Sequence, residues 1–337
     1  MDGYHLEGRL QFPLRSDYIS KPSKINSPIM TGTESKATDF AHQRRQRLTG
    51  IALMCGAVAC FACLDATGKY LNHHMDTMQV VWARYTGAFL LALILSNPIN
   101  RPGLLVTRRP FMQIGRSALL LFSTSLNFFA LRYLQLDEAL SILFSTPFIV
   151  AVLCGPLLGE WVGWRRWTAI GVGFFGVLLV ARPGFGGVHP AALLSLGSAI
   201  CYAVYVISTR VLARTDSNET TLFYSNLVGA GAMLPVIPFV WSAPENALIV
   251  VLMVLIGALG SGGHYLLIVG HRLAPASVLA PFIYTQVVWT TALGFLVFGD
   301  VPHRWTIVGG LIVVSSGLYL LNRERKVGKA APSTPVA

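Results

Sequence analysis

Runs of about 17 to 25 mostly apolar residues follow one another along the chain, each long enough to cross a hydrocarbon core of about 30 Å as a helix. Ten are read, over 49–70, 77–95, 114–134, 139–158, 164–180, 191–211, 220–240, 247–269, 276–298 and 305–321. The connectors carry the breakers expected between helices, such as Asn97-Pro98, Arg182-Pro183-Gly184 and Val301-Pro302. Only 12% of the 337 residues are charged against 53% apolar, whereas a soluble domain carries roughly 25% charge. So little charge cannot cover a water-facing surface, which argues against a soluble enzyme. The net charge of +11 lies in short clusters between the runs, not on one amphipathic face, and so argues against a nucleic-acid partner. The expected partners are the lipid bilayer and a small-molecule substrate.

The basic clusters predict orientation, because Lys and Arg beside the spans stay on the cytoplasmic side. With the N-terminus inside, Arg44, Arg45, Arg47, Arg108, Arg109, Arg165, Arg166, Arg323 and Arg325 fall inside, while Lys69, Arg132, Arg182 and Arg304 fall outside. Both termini are then cytoplasmic, and the expected location is the inner (cytoplasmic) membrane. Residues 1–48 form a polar tail without the apolar core of a secretory signal, and Met30 is an alternative start. Residues 323–337 form a basic tail.

The two halves repeat. Gly56, Cys60-Phe61-Ala62 and Lys69 recur at one spacing as Gly197, Cys201-Tyr202-Ala203 and Arg210. Trp82, Arg84 and Gly87-Ala88 recur as Tyr224, Asn226 and Gly229-Ala230, and Arg166-Trp167-Thr168 as Arg304-Trp305-Thr306. The expected fold is therefore all-α and integral to the membrane, with a repeat over 49–182 and a second over 190–322. Each repeat holds five helices, an odd number, so the second enters the membrane inverted, the architecture of alternating-access carriers.

The chain resembles the drug/metabolite transporter superfamily, in its family with two EamA domains. The resemblance rests on Phe61-Ala62-x-x-Asp65-Ala66-x-x-Lys69, Arg84, Ala139-Leu140 through Pro147, Leu158-Gly159-Glu160, Arg165-Arg166-Trp167 and Gly173-Phe174-Phe175-Gly176-Val177. It covers about residues 49 to 323, and departs where Asp300 stands in place of the usual Glu. It implies a ten-helix secondary carrier for amino acids, nucleotide-like metabolites, vitamins or drugs, without a cofactor. Riboflavin-like uptake is the first expectation for cargo. Amino-acid or other metabolite export and S-adenosylmethionine uptake are the alternatives.

An ionisable group inside a span costs about 3 kcal/mol on insertion scales, so each calls for a partner, water or a function. Asp65 and Arg84 lie at similar depth, about 10 Å from the helix ends, where antiparallel neighbours can bring them together as an ion pair. Such a pair either fixes helix packing or takes part in transport, with Arg84 holding an anionic group and Asp65 exchanging a proton. Their repeat counterparts are Val206 and Asn226, so the pair is not required by the architecture of both halves.

Asn127 and His264 correspond between the repeats and could line a cavity or pack through a hydrogen bond. Pro147 and Pro281 are candidate hinges, read as prolines inside helices that expose a carbonyl. Tyr284, Gln286 and Trp289 follow as candidate substrate contacts. Glu160 and Asp300 are read as helix-end acids, and Lys69 as an interfacial anchor whose stem reaches the headgroups.

No metal motif and no phosphate-binding Gly-Lys-Ser/Thr loop is present, so ATP hydrolysis and metal catalysis are not expected. A membrane-embedded enzyme is the alternative class, with Cys60 and Cys63 as a redox pair or His264 and Asp65 as acid and base. Protons are a candidate coupling ion and a homodimer a candidate assembly.

Overall fold

A computed structural model describes residues 32–96, 102–159, 164–181, 189–274 and 276–330. The chain divides into two units, Met1–Gln43 and Arg44–Ala337. The first is described only as helical backbone from Gly32 onward, and all contacts below belong to the second. Among the described residues the structure is helical without strands. The helices are α1 (Gly32–Leu71), α2 (Thr77–Ser96), α3 (Pro110–Leu131), α4 (Leu136–Leu143), α5 (Thr146–Leu158), α6 (Trp164–Ala181) and α7 (Pro190–Leu212). They continue as α8 (Asn218–Met233), α9 (Ile237–Val240), α10 (Ala247–Leu273), α11 (Ala276–Ile283), α12 (Gln286–Phe298) and α13 (Arg304–Ala330).

Six stretches are long and apolar enough to cross a membrane: Arg44–Leu71, Thr77–Ile94, Pro110–Leu131, Leu136–Leu157, Pro190–Leu212 and Ala247–Leu273. Trp167–Val180 and Gln286–Phe298 are shorter apolar helices. Large apolar side chains such as Phe122, Phe175, Leu296 and Leu311 are exposed on the outside of the bundle, where a soluble protein would carry charge.

Local chemistry sets the helix ends. Pro110 and Pro190 open α3 and α7, where a missing N–H costs nothing. The Asn246 side chain accepts from the Ile249 N–H (3.1 Å) to start α10, and Ser217 accepts from the Thr220 N–H (3.0 Å) to start α8. The expected span over 220–240 is interrupted between α8 and α9, where Pro235 cannot donate the next helical bond.

The expected spans 139–158 and 276–298 are each two helices. α4 and α5 meet at Phe144 and Ser145, α11 and α12 at Tyr284 and Thr285. At each break a threonine hydroxyl donates back to the carbonyl three residues earlier, Thr146 to Leu143 and Thr285 to Phe282, both at 2.6 Å. Both second halves end on a left-handed glycine, Gly159 (φ 72°) and Gly299 (φ 68°), a conformation that glycine adopts without a Cβ penalty. The Phe144 and Tyr284 rings meet edge to face, 5.1 Å between centroids, so the two breaks touch.

These breaks correct the reading of Pro147 and Pro281 as equivalent kinks inside helices. Pro147 falls in the first turn of α5, beyond its break, and removes no interior hydrogen bond. Pro281 lies within α11, ahead of its break. The two prolines therefore flank the matching discontinuities from opposite sides.

The repeats pack on each other through α3 with α7, α6 with α13, and α2 with both α10 and α8. Glycine permits the closest crossings. A Cβ on Gly257 would stand 2.7 Å from the Gly87 Cα, and one on Gly176 would stand 2.8 Å from the Gly309 carbonyl oxygen. Small residues at such crossings let backbones approach where lipid supplies no hydrophobic drive.

Candidate functional site

Helix α3 organises the polar centre of the bundle. Gln113, Arg116, Leu120, Thr124 and Asn127 recur at steps of three and four and so share one face. Asn127 Nδ2 donates to Asp65 Oδ1 of α1 at 3.1 Å. One turn away, Arg84 Nη1 of α2 donates to Thr124 Oγ1 at 2.5 Å, and the Tyr85 hydroxyl lies 3.0 Å from the same oxygen. Thr124 donates in turn to the Leu120 carbonyl at 2.9 Å. The Arg84 guanidinium also stands 4.8 Å from the Tyr85 ring.

The expected Asp65–Arg84 ion pair is not formed. The carboxylate takes an amide and the guanidinium takes a hydroxyl, because α3 offers Asn127 to α1 and Thr124 to α2 from one face.

His264 of α10 stacks edge-on against Phe61 at 5.0 Å. With Arg84, Tyr85, Ala88, Leu120, Leu222, Ser225, Asn226 and Gly260 it lines a cavity of about 10 Å³, room for about one water. Arg84 and its repeat counterpart Asn226 thus face one space. The Asn226 Nδ2 is buried there without a hydrogen-bond partner.

Sequence reasoning passed over Arg116. It is only 4% exposed and donates from Nε to Thr209 Oγ1 (2.6 Å), from Nη1 to Ser225 Oγ (2.9 Å) and the Thr221 carbonyl (3.1 Å), and from Nη2 to the Tyr205 hydroxyl (2.7 Å). Its guanidinium lies 4.2 Å over the Tyr205 ring. Every acceptor is neutral. An arginine inside the run 114–134 was the available signal, masked by its place near the start of that run.

The remaining candidates lie apart from this centre. Tyr284 packs on Phe144 and against Gly317, where a Cβ would stand 1.8 Å from its hydroxyl. Gln286 is buried beside that break, while Trp289 is 45% exposed on the outside of the bundle. None of the three lines the cavity. Glu160 lies outside the described residues.

Lys69 and Asp300, read as anchor and helix-end acid, are joined: Lys69 Nζ lies 2.7 Å from Asp300 Oδ2, with side-chain exposures of 10% and 21%. The ammonium also sits 4.7 Å from the Phe298 ring. Lys69 therefore does not reach outward; its partner past the end of α12 draws it in. At the same end His74 Nδ1 lies 3.2 Å from Glu245 Oε2, and Gln79 donates to the Ser242 carbonyl while accepting from its N–H and hydroxyl. Cys60 and Cys63 sit one turn apart on continuous α1, and the five cysteines form no disulfide.

A helical bundle of apolar spans, with a few charged side chains at the contact of its two halves, is the build of a multi-pass membrane protein. The chain belongs to the EamA-like transporter family, whose sequence profile matches residues 48–182 and again 189–323. It is 27% identical over 281 residues to the S-adenosylmethionine uptake transporter of Rickettsia felis, covering 83% of this chain and 94% of that protein. It is 24% identical over 282 residues to the riboflavin transporter of Vibrio cholerae, covering 83% and 95%. A solved crystal structure shares the fold at TM-score 0.58 and 16% identity, covering 84% of this chain and 99% of the other. The chain is thus a metabolite transporter of this family, in the inner membrane as a multi-pass protein.

Proposed function

We propose that the chain is a secondary carrier of ten spans in two inverted five-helix repeats, with both termini cytoplasmic, and that it takes up a zwitterionic metabolite of the S-adenosylmethionine type. The observation that carries this reading is the separation of Asp65 from Arg84. Both are partly buried on adjacent helices, and each is held by a neutral partner on α3. A cargo with an ammonium and a carboxylate replaces Asn127 and Thr124 with opposite charges, and a carboxylate can take two parallel bonds from the Arg84 guanidinium where the Thr124 hydroxyl takes one. The relatives that take up S-adenosylmethionine support this order of cargo over the riboflavin expected first.

A cavity that holds about one water admits no metabolite, so transport needs the two halves to part. The breaks at Phe144 and Tyr284, in contact with each other, are the hinges in this reading, and Asp65 is the proton-exchanging group.

Uptake into proteoliposomes tests it, with labelled S-adenosylmethionine and riboflavin, each with and without a proton gradient. S-adenosylmethionine uptake that Asp65→Asn and Arg84→Gln abolish is expected. Riboflavin uptake alone sinks the cargo assignment, and a gradient effect that survives Asp65→Asn sinks the proton role.

A further inference from the structure

The separation of opposite charges around α3 occurs twice. Asp216, in the connector before α8, accepts from Gln113 Nε2 at 2.8 Å and from the Thr107 hydroxyl. Gln113 lies one turn from Arg116 on the same face of α3, yet Arg116 is not paired with Asp216 and holds only hydroxyls and a carbonyl. A buried guanidinium without a counter-ion is expensive, and a neighbouring acid would ordinarily neutralise it.

The surroundings point to what does. Ser225, an acceptor for Arg116, lines the same cavity as Arg84, and so does Asn226, whose buried Nδ2 has no hydrogen-bond partner. Ser225 and Thr209 already donate to the Thr221 and Tyr205 carbonyls, at 2.9 and 2.7 Å, so the Tyr205 hydroxyl is the one among the three that an anion can take as a donor without breaking such a bond. Carried over at the spacing that relates Asn127 to His264, Arg116 corresponds to Met253, so the second repeat again lacks the charge.

We infer that Arg116, Ser225 and the Asn226 amide form a second carboxylate-binding station, beside the cavity on the side toward the start of α3. It lies about 12 Å along α3 from Thr124. Resting on the carrier reading, the inference adds a route: the cargo's carboxylate leaves Arg84 for Arg116 on its way to the end of the bundle that the proposed topology puts in the cytoplasm. The planar guanidinium offers a carboxylate two parallel bonds, which displaced hydroxyls cannot match.

The test uses the purified full-length protein and begins with thermal stability in acetate and in acetamide at matched ionic strength. That probe pair needs no knowledge of the cargo. Acetate is expected to raise the melting temperature above that in acetamide, and Arg116→Lys and Arg116→Met, each checked for monodisperse elution, are expected to shrink the difference to the part that Arg84 supplies. No acetate-specific shift in the wild type, or an equal shift in folded Arg116→Lys, overturns the station.

Uptake of labelled S-adenosylmethionine is the separate arm. Slowing of at least about tenfold in Arg116→Lys supports the station, and uptake at the wild-type rate overturns it. Wild-type protein that shows the acetate shift but takes up no S-adenosylmethionine removes the cargo assignment and leaves the station standing.

Discussion

The first repeat carries Asp65, Arg84 and Arg116 where the second carries Val206, Asn226 and Met253. Yet both make the same scaffold, down to a broken helix closed by a threonine hydroxyl and ended by a left-handed glycine. The scaffold therefore does not need these charges, since one copy forms without them. What the second repeat contributes to the polar centre is smaller and neutral: the Asn226 amide, the Ser225 hydroxyl and the half-buried His264. One half supplies charge, the other supplies shape and neutral bonding groups.

The largest expected effect comes from making the first repeat resemble the second. Asp65→Val and Arg84→Asn should each lower uptake about 100-fold. Stability should stay within about 1 kcal/mol in a denaturation series, because no ion pair is broken. A collapse in stability would instead make the two charges part of the scaffold and end the contrast.

Next comes the tightest ion pair that joins the repeats among the described residues, Lys69 with Asp300. Lys69→Met leaves Asp300 uncompensated and should cost about 2 kcal/mol, while Lys69→Met with Asp300→Leu should recover more than half. Equal losses in the single and double variants would show that the pairing itself contributes nothing. Gly257→Ala, driven against the Gly87 backbone, should cost about 1 kcal/mol or more. Gly262→Ala on the same helix meets nothing within 4 Å and should be neutral or slightly stabilising.

The smallest effect belongs to Asp216. Burial pushes its carboxyl up, but hydrogen bonds from Thr107, Gln113, the Arg108 N–H and Thr215 outweigh this and hold it below the usual carboxylate range. A depressed folded value means a stability contribution present above the unfolded value, about 3.9, and lost as pH falls through the folded one. Melting temperatures of wild type and Asp216→Asn should thus differ at neutral pH and converge only in strong acid. Convergence near pH 5 would mean that these bonds do not favour the ionised form.

Much of this was legible in the residues. Apolar length marked the spans, and recurring motifs such as Cys60-Phe61-Ala62 with Cys201-Tyr202-Ala203 marked the repeat, because both are local patterns. Partnerships were harder. Asp65 and Arg84 are expected from the sequence to pair, but only the third helix decides that Asn127 and Thr124 are their partners. Lys69 looked like an anchor because nothing local to it reveals Asp300, distant in sequence. Pro147 and Pro281 drew attention to the correct segments and to the wrong turns, since a missing N–H shows where a bond cannot form, not where the helix gives way.

The one-water chamber has a consequence for energy conservation. Protons cross a membrane fastest along an unbroken file of waters. A space this small beside Arg84, walled by Leu120 and Leu222, holds no file of waters at that point. In this conformation a proton passing Arg84 through that chamber finds about one water and then apolar wall, so the chamber by itself is no wire.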